Sequence, residues 1–139
     1  MKGMISAYNT HSKLKRMNSN LKLEKLHHVT IHVKNITEAR AFYENIPGIV
    51  LANMPLSVSE KGIIWYNLPD GRQIHLFPWE EDISQTRAHF ALTVENIEAW
   101  HSFFKNQGCE IIEPMVNYGA ERFFIRDPSG NLIEFLKLK

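Results

Sequence analysis

The second half of this sequence repeats the first half at a nearly constant spacing. The stretch HVTIHVKNI, which begins at His28, aligns with HFALTVENI, which begins at His89, 61 positions further along. The stretch DGRQIHL aligns with SGNLIEF after a shift of 59 positions, which pairs His75 with Glu134. Such a repeat constrains the fold strongly, because one unit alone cannot cover both faces of its own sheet.

The first unit, about residues 24–79, reads as one strand, one helix and three further strands. Apolar and polar residues alternate over residues 26–33, which predicts a strand. Asn35 is placed to cap a helix, with Glu38 three positions later, and Pro47 and Gly48 end that helix. The apolar face of this helix consists of Ile36, Ala39, Phe42, Tyr43 and Ile46. The three further strands are predicted at residues 50–53, 62–68 and 72–77.

The second unit, about residues 87–139, repeats this order after a connection near residues 80–86. A strand is predicted at residues 88–94, and Asn96 caps the next helix. The apolar face of that helix consists of Ile97, Trp100, Phe103 and Phe104, and Gly108 follows it. Three more strands are predicted at residues 110–114, 122–125 and 131–138. The fold class is therefore α+β, built from two tandem βαβββ units.

Strand alternation predicts where the four paired residues point. In the first strand of each unit the apolar side chains face the helix, so His28 and His89 face the opposite, concave side. In the last strands His75 and Glu134 alternate with apolar neighbours and face the same way. Three imidazoles and one carboxylate from two related sheets indicate a divalent metal site with one or two open coordination positions.

The remaining histidines and the tryptophans have simpler interpretations. A single inward histidine is more often a hydrogen-bonded lining residue than a ligand, and only the duplication favours metal binding for the four paired residues. His27 is predicted at the helix side or an edge, and His32 on the concave face away from His28. His11 and His101 are expected at the surface. The three tryptophans, Trp65, Trp79 and Trp100, are expected in the core or in the wall of a pocket.

Composition excludes several classes of function. The formal net charge is +1, so no electrostatic footprint for nucleic acid or an anionic membrane is present. The single cysteine, Cys109, excludes an internal disulfide and fits a reducing compartment. No apolar run approaches the roughly 20 residues that span a bilayer. We expect a soluble cytoplasmic protein.

Residues 1–22 differ from the rest of the chain. The first 20 residues carry basic side chains and no acidic one, and they have no apolar central stretch, so a secretory signal is excluded. We expect a flexible basic tail ahead of one domain at residues 23–139. Either Met1 or Met17 fits the natural start, and an organelle transit peptide is the alternative interpretation of the tail.

Several stretches of the chain resemble the vicinal oxygen chelate superfamily. These are LHHVTIHV from Leu26, the sequence AFYE, the sequence QIHL, the stretch HFALTV from His89, and RDPSGNLIEF from Arg126. The superfamily includes glyoxalase I, methylmalonyl-CoA epimerase, extradiol dioxygenases and fosfomycin-resistance thiol transferases, together with drug-binding proteins such as the bleomycin resistance proteins. The resemblance covers nearly all of the chain after about Leu23, and its most specific part is the closing DPSGNLIEF.

The resemblance implies a cup-shaped mixed sheet around a metal site. It carries the family ligands over onto His28, His75, His89 and Glu134, with Ni, Zn, Co, Mn or Fe as the ion. It also implies a lyase or isomerase that acts on a small molecule through a metal-stabilised enediolate-type anion. Glu134 is the only carboxylate of the set, so it is the candidate catalytic residue that moves a proton.

Departures from the named families keep other functions open. A glutathione substrate would favour arginine at the position of His32 and asparagine at that of Trp79. The chain ends five residues after Glu134, without the basic tail of the fosfomycin transferases. An extradiol-type ring-cleaving dioxygenase would use His28, His89 and Glu134 and leave His75 as an additional ligand. A non-catalytic drug-binding protein is the third possibility, although such proteins generally lack these ligands.

Substrate contacts and assembly are predicted more loosely. His32, Trp79 and Arg122 are the candidate substrate residues, and Arg87 and residues 118–122 are candidate rim residues, since loops of this kind often carry specificity. The family resemblance favours a homodimer, but the sequence does not distinguish a metal site within one chain from a site shared by two chains. The partners are therefore a small-molecule substrate and a second copy, with no nucleic acid and no membrane.

Overall fold

The structure, a computed structural model, describes residue 12 and residues 20–83, 86–115 and 119–139. The first unit contains four strands and two helices. In chain order these are β1 (His28–Val33), α1 (Ile36–Glu44), β2 (Val50–Leu51), α2 (Leu56–Ser59), β3 (Ile64–Asn67) and β4 (Gln73–Pro78). The second unit repeats the order with β5 (His89–Thr93), α3 (Ile97–Asn106), β6 (Ile111–Ile112), β7 (Glu121–Arg126) and β8 (Leu132–Lys137).

The βαβββ order predicted for each unit is confirmed. Asn35 Oδ1 accepts a hydrogen bond of 3.0 Å from the backbone N–H of Glu38, and Asn96 Oδ1 caps α3 in the same way. Gly48 follows α1 and Gly108 follows α3, with positive φ angles of 93° and 77°. Glycine adopts this backbone conformation without a steric penalty.

Two local predictions were wrong. The strands expected at residues 50–53 and 110–114 pair over only two residues each, Val50–Leu51 and Ile111–Ile112, and each lies at an edge of its sheet. The short helix Leu56–Ser59 was not predicted. It follows Pro55, whose fixed φ and missing N–H suit the start of a helical turn. Neither difference affects the strands that carry the paired residues.

Each unit forms one four-stranded mixed sheet, and the two sheets have the same topology. Their strand orders are β1-β4-β3-β2 and β5-β8-β7-β6. In each sheet the first and last strands of the unit pair in parallel, and the other neighbours pair antiparallel. The connection between the parallel strands contains the helix and the two other strands of the unit, which gives the length that a parallel pair requires. The two sheets and their helices confirm the α+β fold.

The helices of both units share one hydrophobic core. The largest fully buried side chains come from both halves of the chain, and aromatic rings meet across the boundary, with the Phe42 and Phe104 ring centroids 6.4 Å apart. The apolar faces of the sheets are thereby covered from the helix side. The fully buried side chains are Tyr43, Tyr66, Phe104, Phe123, Phe135, Ile74, Leu76, Ile125, Ile133 and Val33.

A buried polar connection also joins the units. The Asp127 carboxylate accepts hydrogen bonds from the Tyr43 hydroxyl at 2.6 Å and from the backbone N–H groups of Ser129 and Asn131. Asn131 Nδ2 donates to Asp127 and also to the backbone carbonyl of His32. Burial and the neighbouring carboxylate raise the pKa of Tyr43 well above its ordinary value, so the phenol stays protonated and donates. The DPSGN turn is therefore held against the first unit.

Candidate metal centre

The first pair of predicted ligands comes together on the first sheet. The parallel register places Thr30 beside His75, so His28 lies diagonally across from His75 on the same face. Their rings stack with centroids 4.0 Å apart and an interplanar angle of 16°. The indole of Trp65, on the neighbouring strand β3, stacks on the other side of His75 at 4.7 Å. His75 is thus held between two flat rings.

The surroundings of His75 keep its imidazole neutral. Only 9% of the residue is exposed. Burial first, and then the neighbouring His28 and His27, lower the pKa of His75 to about 4. His75 Nε2 lies 2.8 Å from Gln73 Oε1 and donates to it, and Gln73 is fixed in turn by its own bond to Asn67. A neutral, oriented imidazole is the form that binds a metal ion.

We expect the metal-free protein to lose stability as the pH falls from 6.5 towards 4. In the unfolded chain His75 binds a proton near pH 6.5, whereas in the folded chain its pKa is about 4. The contribution of neutral His75 to the free energy of unfolding is therefore complete above pH 6.5 and is lost progressively as the pH falls to about 4. The full loss is about 3 kcal/mol. Urea unfolding at several pH values measures it, and His75→Gln should remove this part of the pH dependence. An unchanged pH profile in that variant would contradict the assignment.

The second pair comes together on the second sheet with the same register. Ala91 lies beside Glu134 on the parallel strands, so His89 is diagonal to Glu134 just as His28 is diagonal to His75. His89 Nε2 and Glu134 Oε2 are 3.5 Å apart. Two ligands that share one ion at bonds of about 2.1 Å lie roughly 3 to 3.4 Å apart, so this spacing suits a shared ion. His89 Nδ1 also contacts the backbone carbonyl of Arg87 at 3.0 Å, which fixes its ring.

Glu134 has a second partner, Arg122. Arg122 Nη1 donates to Glu134 Oε1 at 2.9 Å, and the side chains are 18% and 8% exposed. The antiparallel register pairs Phe124 with Glu134, which puts Arg122 on the same face two residues away. Arg122 therefore lies in β7 and contacts a predicted ligand directly. One oxygen of the carboxylate faces a cation and the other faces His89.

Within one chain the four predicted ligands form two pairs. No group of three or more histidine, cysteine, aspartate or glutamate side chains in the described part of the chain is arranged to hold a metal ion. The strands β1 and β5 are edge strands of the two sheets, and residues of both line a cleft of about 530 Å³. Each sheet therefore presents one pair of the predicted ligands.

Of the three predicted substrate residues, His32 and Trp79 lie together, whereas Arg122 lies beside Glu134 on the other sheet. The His32 ring stacks on Trp79 with centroids 4.5 Å apart, and it also lies 6.0 Å from the Phe77 ring. Phe77 and Trp79 are 39% and 40% exposed. This aromatic group lies next to His75, towards the C-terminal end of β4, and forms an open, mostly apolar surface.

The other residues named from the sequence have simpler surroundings. His27 Nδ1 contacts His28 Nδ1 at 2.9 Å at an exposed position. His101 contacts Glu113 at 2.8 Å and its ring packs edge-on against Phe123. Arg87 is exposed. His11 and Tyr118 lie outside the described residues.

Sequence reasoning missed two contacts to the predicted ligands. Gln73 was not singled out, although it lies two positions before His75, and the period of two along a strand puts it on the same face. The interaction of Arg122 with Glu134 was not predicted either. The only signal for it was the alternation of Arg122 with Phe123, which places the arginine on the side of the sheet away from the helix.

Two βαβββ units with paired histidine and carboxylate side chains define a class of proteins, and comparison with known families identifies it. The model of the Glyoxalase/Bleomycin resistance protein/Dioxygenase superfamily matches residues 25–135. The chain therefore belongs to this superfamily, and the resemblance stated from the sequence is confirmed. No curated protein sequence matches the chain significantly.

Solved structures share the fold over most of their length. A glyoxalase family protein from Bacillus anthracis is 28% identical with a TM-score of 0.77, covering 86% of this chain and 98% of that one. A glyoxalase/dioxygenase from Nostoc punctiforme is 19% identical with a TM-score of 0.72, covering 85% and 93%. The fosfomycin resistance protein FosX from Listeria monocytogenes, complexed with Mn(II) and sulfate, is 18% identical with a TM-score of 0.70, covering 85% and 93%.

The superfamily includes enzymes and members that bind divalent metals, as the manganese complex of FosX illustrates. At 18% identity that likeness to FosX concerns the fold. Among the described residues, no helix is long and apolar enough to cross a membrane.

Proposed function

We propose that the protein is a divalent-metal-dependent lyase or isomerase that acts on a small molecule and works as a homodimer. The observation that carries the proposal is the repeated diagonal pair: His28 with His75, and His89 with Glu134. Both pairs use the same strand register, and in the second pair the two candidate ligand atoms are 3.5 Å apart. Three imidazoles and one carboxylate suit Ni, Zn, Co, Mn or Fe.

The residues present fit such an ion. His75 is held neutral by burial, which leaves a ring nitrogen available as a ligand. Glu134 is buried and keeps Oε2 beside His89, while Arg122 fixes Oε1. Partners that orient a ligand in this way are typical of metal sites in proteins. When bound, the ion would stabilise negative charge that develops on neighbouring substrate oxygens, as in an enediolate-type anion.

A second copy would complete the donor set. Catalytic metal sites use three or more protein ligands, and each sheet presents two. In a twofold dimer the His28–His75 pair of one chain would lie opposite the His89–Glu134 pair of the other, and symmetry would generate this arrangement twice.

Glu134 is the residue we assign to proton transfer. It is the only carboxylate among the paired residues, and it alternates along β8 with Ile133 and Phe135, which lie in the hydrophobic core. Removal of a proton from the substrate carbon, which forms the anion on the neighbouring oxygens, needs a base within hydrogen-bond reach, and we assign Glu134 to accept that proton. The aromatic surface formed by His32, Phe77 and Trp79 would contact the apolar part of a small substrate and exclude water from it.

Metal analysis, molecular mass and activity together test this proposal. We expect the protein, purified and reloaded with Ni, Zn, Co, Mn or Fe, to be a dimer with one ion per chain. Hemithioacetals and acyl-CoA thioesters are the test substrates for lyase or isomerase activity. A panel of catechols, assayed with the Fe(II)-loaded protein, tests the dioxygenase alternative. Glu134→Gln should abolish turnover, because the amide cannot accept the proton.

Three results would contradict the proposal. A monomer that binds one ion would contradict a site shared by two chains. Cleavage of catechols, with no lyase or isomerase activity, would identify the protein as a dioxygenase. A protein that binds none of these ions would favour the drug-binding alternative. As a control, Glu113→Gln removes a carboxylate that contacts His101 at the surface and should leave metal content and turnover unchanged.

A further inference from the structure

Flat neighbours on both sides hold the ring of His75 in one plane. His28 stacks on one face with ring centroids 4.0 Å apart, and Trp65 stacks on the other at 4.7 Å. A half-turn of the imidazole about its Cβ–Cγ bond would keep both stacks, because the ring would stay in the same plane. Such a turn would exchange the positions of the nitrogen atoms with those of ring carbons. The stacks therefore fix the plane of the ring but not the direction of its nitrogens.

The side chain of Gln73 fixes that direction. His75 Nε2 lies 2.8 Å from Gln73 Oε1, and Gln73 Nε2 donates to Asn67 Oδ1 at 2.9 Å, so the amide turns its oxygen towards the ring. The antiparallel register places Asn67 directly beside Gln73. Apart from Gln73, no described residue forms a hydrogen bond with the imidazole of His75. Among these residues the ring proton has an acceptor only at Nε2, which leaves the lone pair of Nδ1 available.

The other two paired histidines are held at the opposite nitrogen. His28 Nδ1 contacts His27 Nδ1 at 2.9 Å. His89 Nδ1 contacts the backbone carbonyl of Arg87 at 3.0 Å. A histidine whose Nδ1 donates a hydrogen bond presents Nε2 to a metal ion. His75 is thus the paired histidine whose hydrogen bond engages Nε2 instead.

We propose that Gln73 is a positioning residue that selects Nδ1 of His75 as the ligand atom of the metal site. The hydrogen bond at one ring nitrogen determines which nitrogen is protonated and which can bind the ion. In the repeat, Leu132 corresponds to Gln73, and the residue it precedes by two positions is Glu134, a carboxylate with no tautomer to select. This proposal rests on the proposed metal-dependent function and adds the identity of one donor atom.

Nitrogen NMR of the metal-free protein, with isotope-labelled histidines, tests the tautomer. At neutral pH we expect the proton of His75 on Nε2; its signals are those missing from the spectrum of His75→Asn. Gln73→Leu should lose this preference, because the acceptor is gone. Gln73→Glu should keep it, because a carboxylate oxygen accepts the same proton. A purely structural role of Gln73 would lower the free energy of unfolding in urea without moving the proton.

Titration with Zn(II), in competition with a chromophoric chelator, tests the ligand atom. We expect Gln73→Leu to bind Zn(II) about tenfold or more weakly than the wild type, and Gln73→Glu to bind it at least as tightly. Two replacements of His75 distinguish the nitrogens. The amide of asparagine puts an oxygen where Nδ1 of histidine lies, and the amide of glutamine, one carbon longer, reaches the position of Nε2. His75→Asn should therefore retain more Zn(II) affinity than His75→Gln.

The control variant is Gln107→Leu, which removes another glutamine oxygen that accepts a side-chain hydrogen bond, from Asn45 at 3.0 Å on the surface. It should leave the tautomer and the Zn(II) affinity unchanged. A wild-type protein that binds no divalent ion contradicts the proposed function and the role of Gln73 with it. If the wild type binds Zn(II), three results overturn the role of Gln73 alone. These are a proton on Nδ1 of His75, wild-type Zn(II) affinity in Gln73→Leu, and tighter binding by His75→Gln than by His75→Asn.

Discussion

Two variants that each bind no metal should recover metal binding when they are mixed. The first variant, His28→Ala with His75→Ala, keeps only the second pair of ligands; the other, His89→Ala with Glu134→Gln, keeps only the first pair. If each site is shared between two chains, a mixed dimer contains one site with all four ligands. Random exchange of subunits then restores about a quarter of the wild-type sites. Metal content after gel filtration measures this recovery.

The same mixture separates the shared site from a site within one chain. If all four ligands came from a single chain, neither variant would supply a complete set, and mixing would restore nothing. Exchange of subunits is the necessary control, and differently tagged wild-type chains, mixed in the same way, monitor it. Exchange without any recovery of metal would contradict the shared site. The result bears directly on the finding that the described residues of one chain hold the ligands in two separate pairs.

Replacing Asp127 with alanine should destabilise the protein by about 3 to 5 kcal/mol, because several buried donors lose their acceptor. These donors are the Tyr43 hydroxyl, two backbone N–H groups and the Asn131 side chain. Tyr43→Phe removes only the hydroxyl and should cost about 1.5 to 3 kcal/mol, since the bond is to a carboxylate. The free energy of unfolding in urea measures both.

The control is Asp70, the aspartate in the first unit's corresponding turn. Its carboxylate contacts Arg72, but the side chain is half exposed, and solvent can replace those contacts. Asp70→Ala should therefore unfold at nearly the same urea concentration as the wild type. A similarly small change for Asp127→Ala would mean that the buried connection between the units contributes little to stability.

The local features of the fold could be predicted because they depend on short-range patterns. The caps at Asn35 and Asn96 and the alternation around His28 and His89 involve neighbours within a few positions, and the structure confirms these elements. Alternation also predicts the face on which a side chain lies. It carries no information about how two sheets are placed relative to each other, so it does not distinguish a metal site within one chain from one shared by two chains.

Contacts across strands and between units required the structure. The bond between Arg122 and Glu134 depends on the register of β7 and β8, which the loop between those strands determines. The bond between Tyr43 and Asp127 joins residues 84 positions apart, and no local pattern indicates it. The assignment of the four paired residues as ligands stays a prediction, and the mixing experiment above tests it.

The buried connection at Asp127 also has a consequence for how the chain folds. The hydrogen bonds that join the units link residues 84, 95 and 99 positions apart, and they involve Tyr43, Lys34 and His32 of the first unit. Contacts this distant in sequence form only after long loops have closed, which slows folding. Because these hydrogen bonds join the two units, unfolding of either unit breaks contacts that stabilise the other. We therefore expect the two repeated units to unfold together in one cooperative transition.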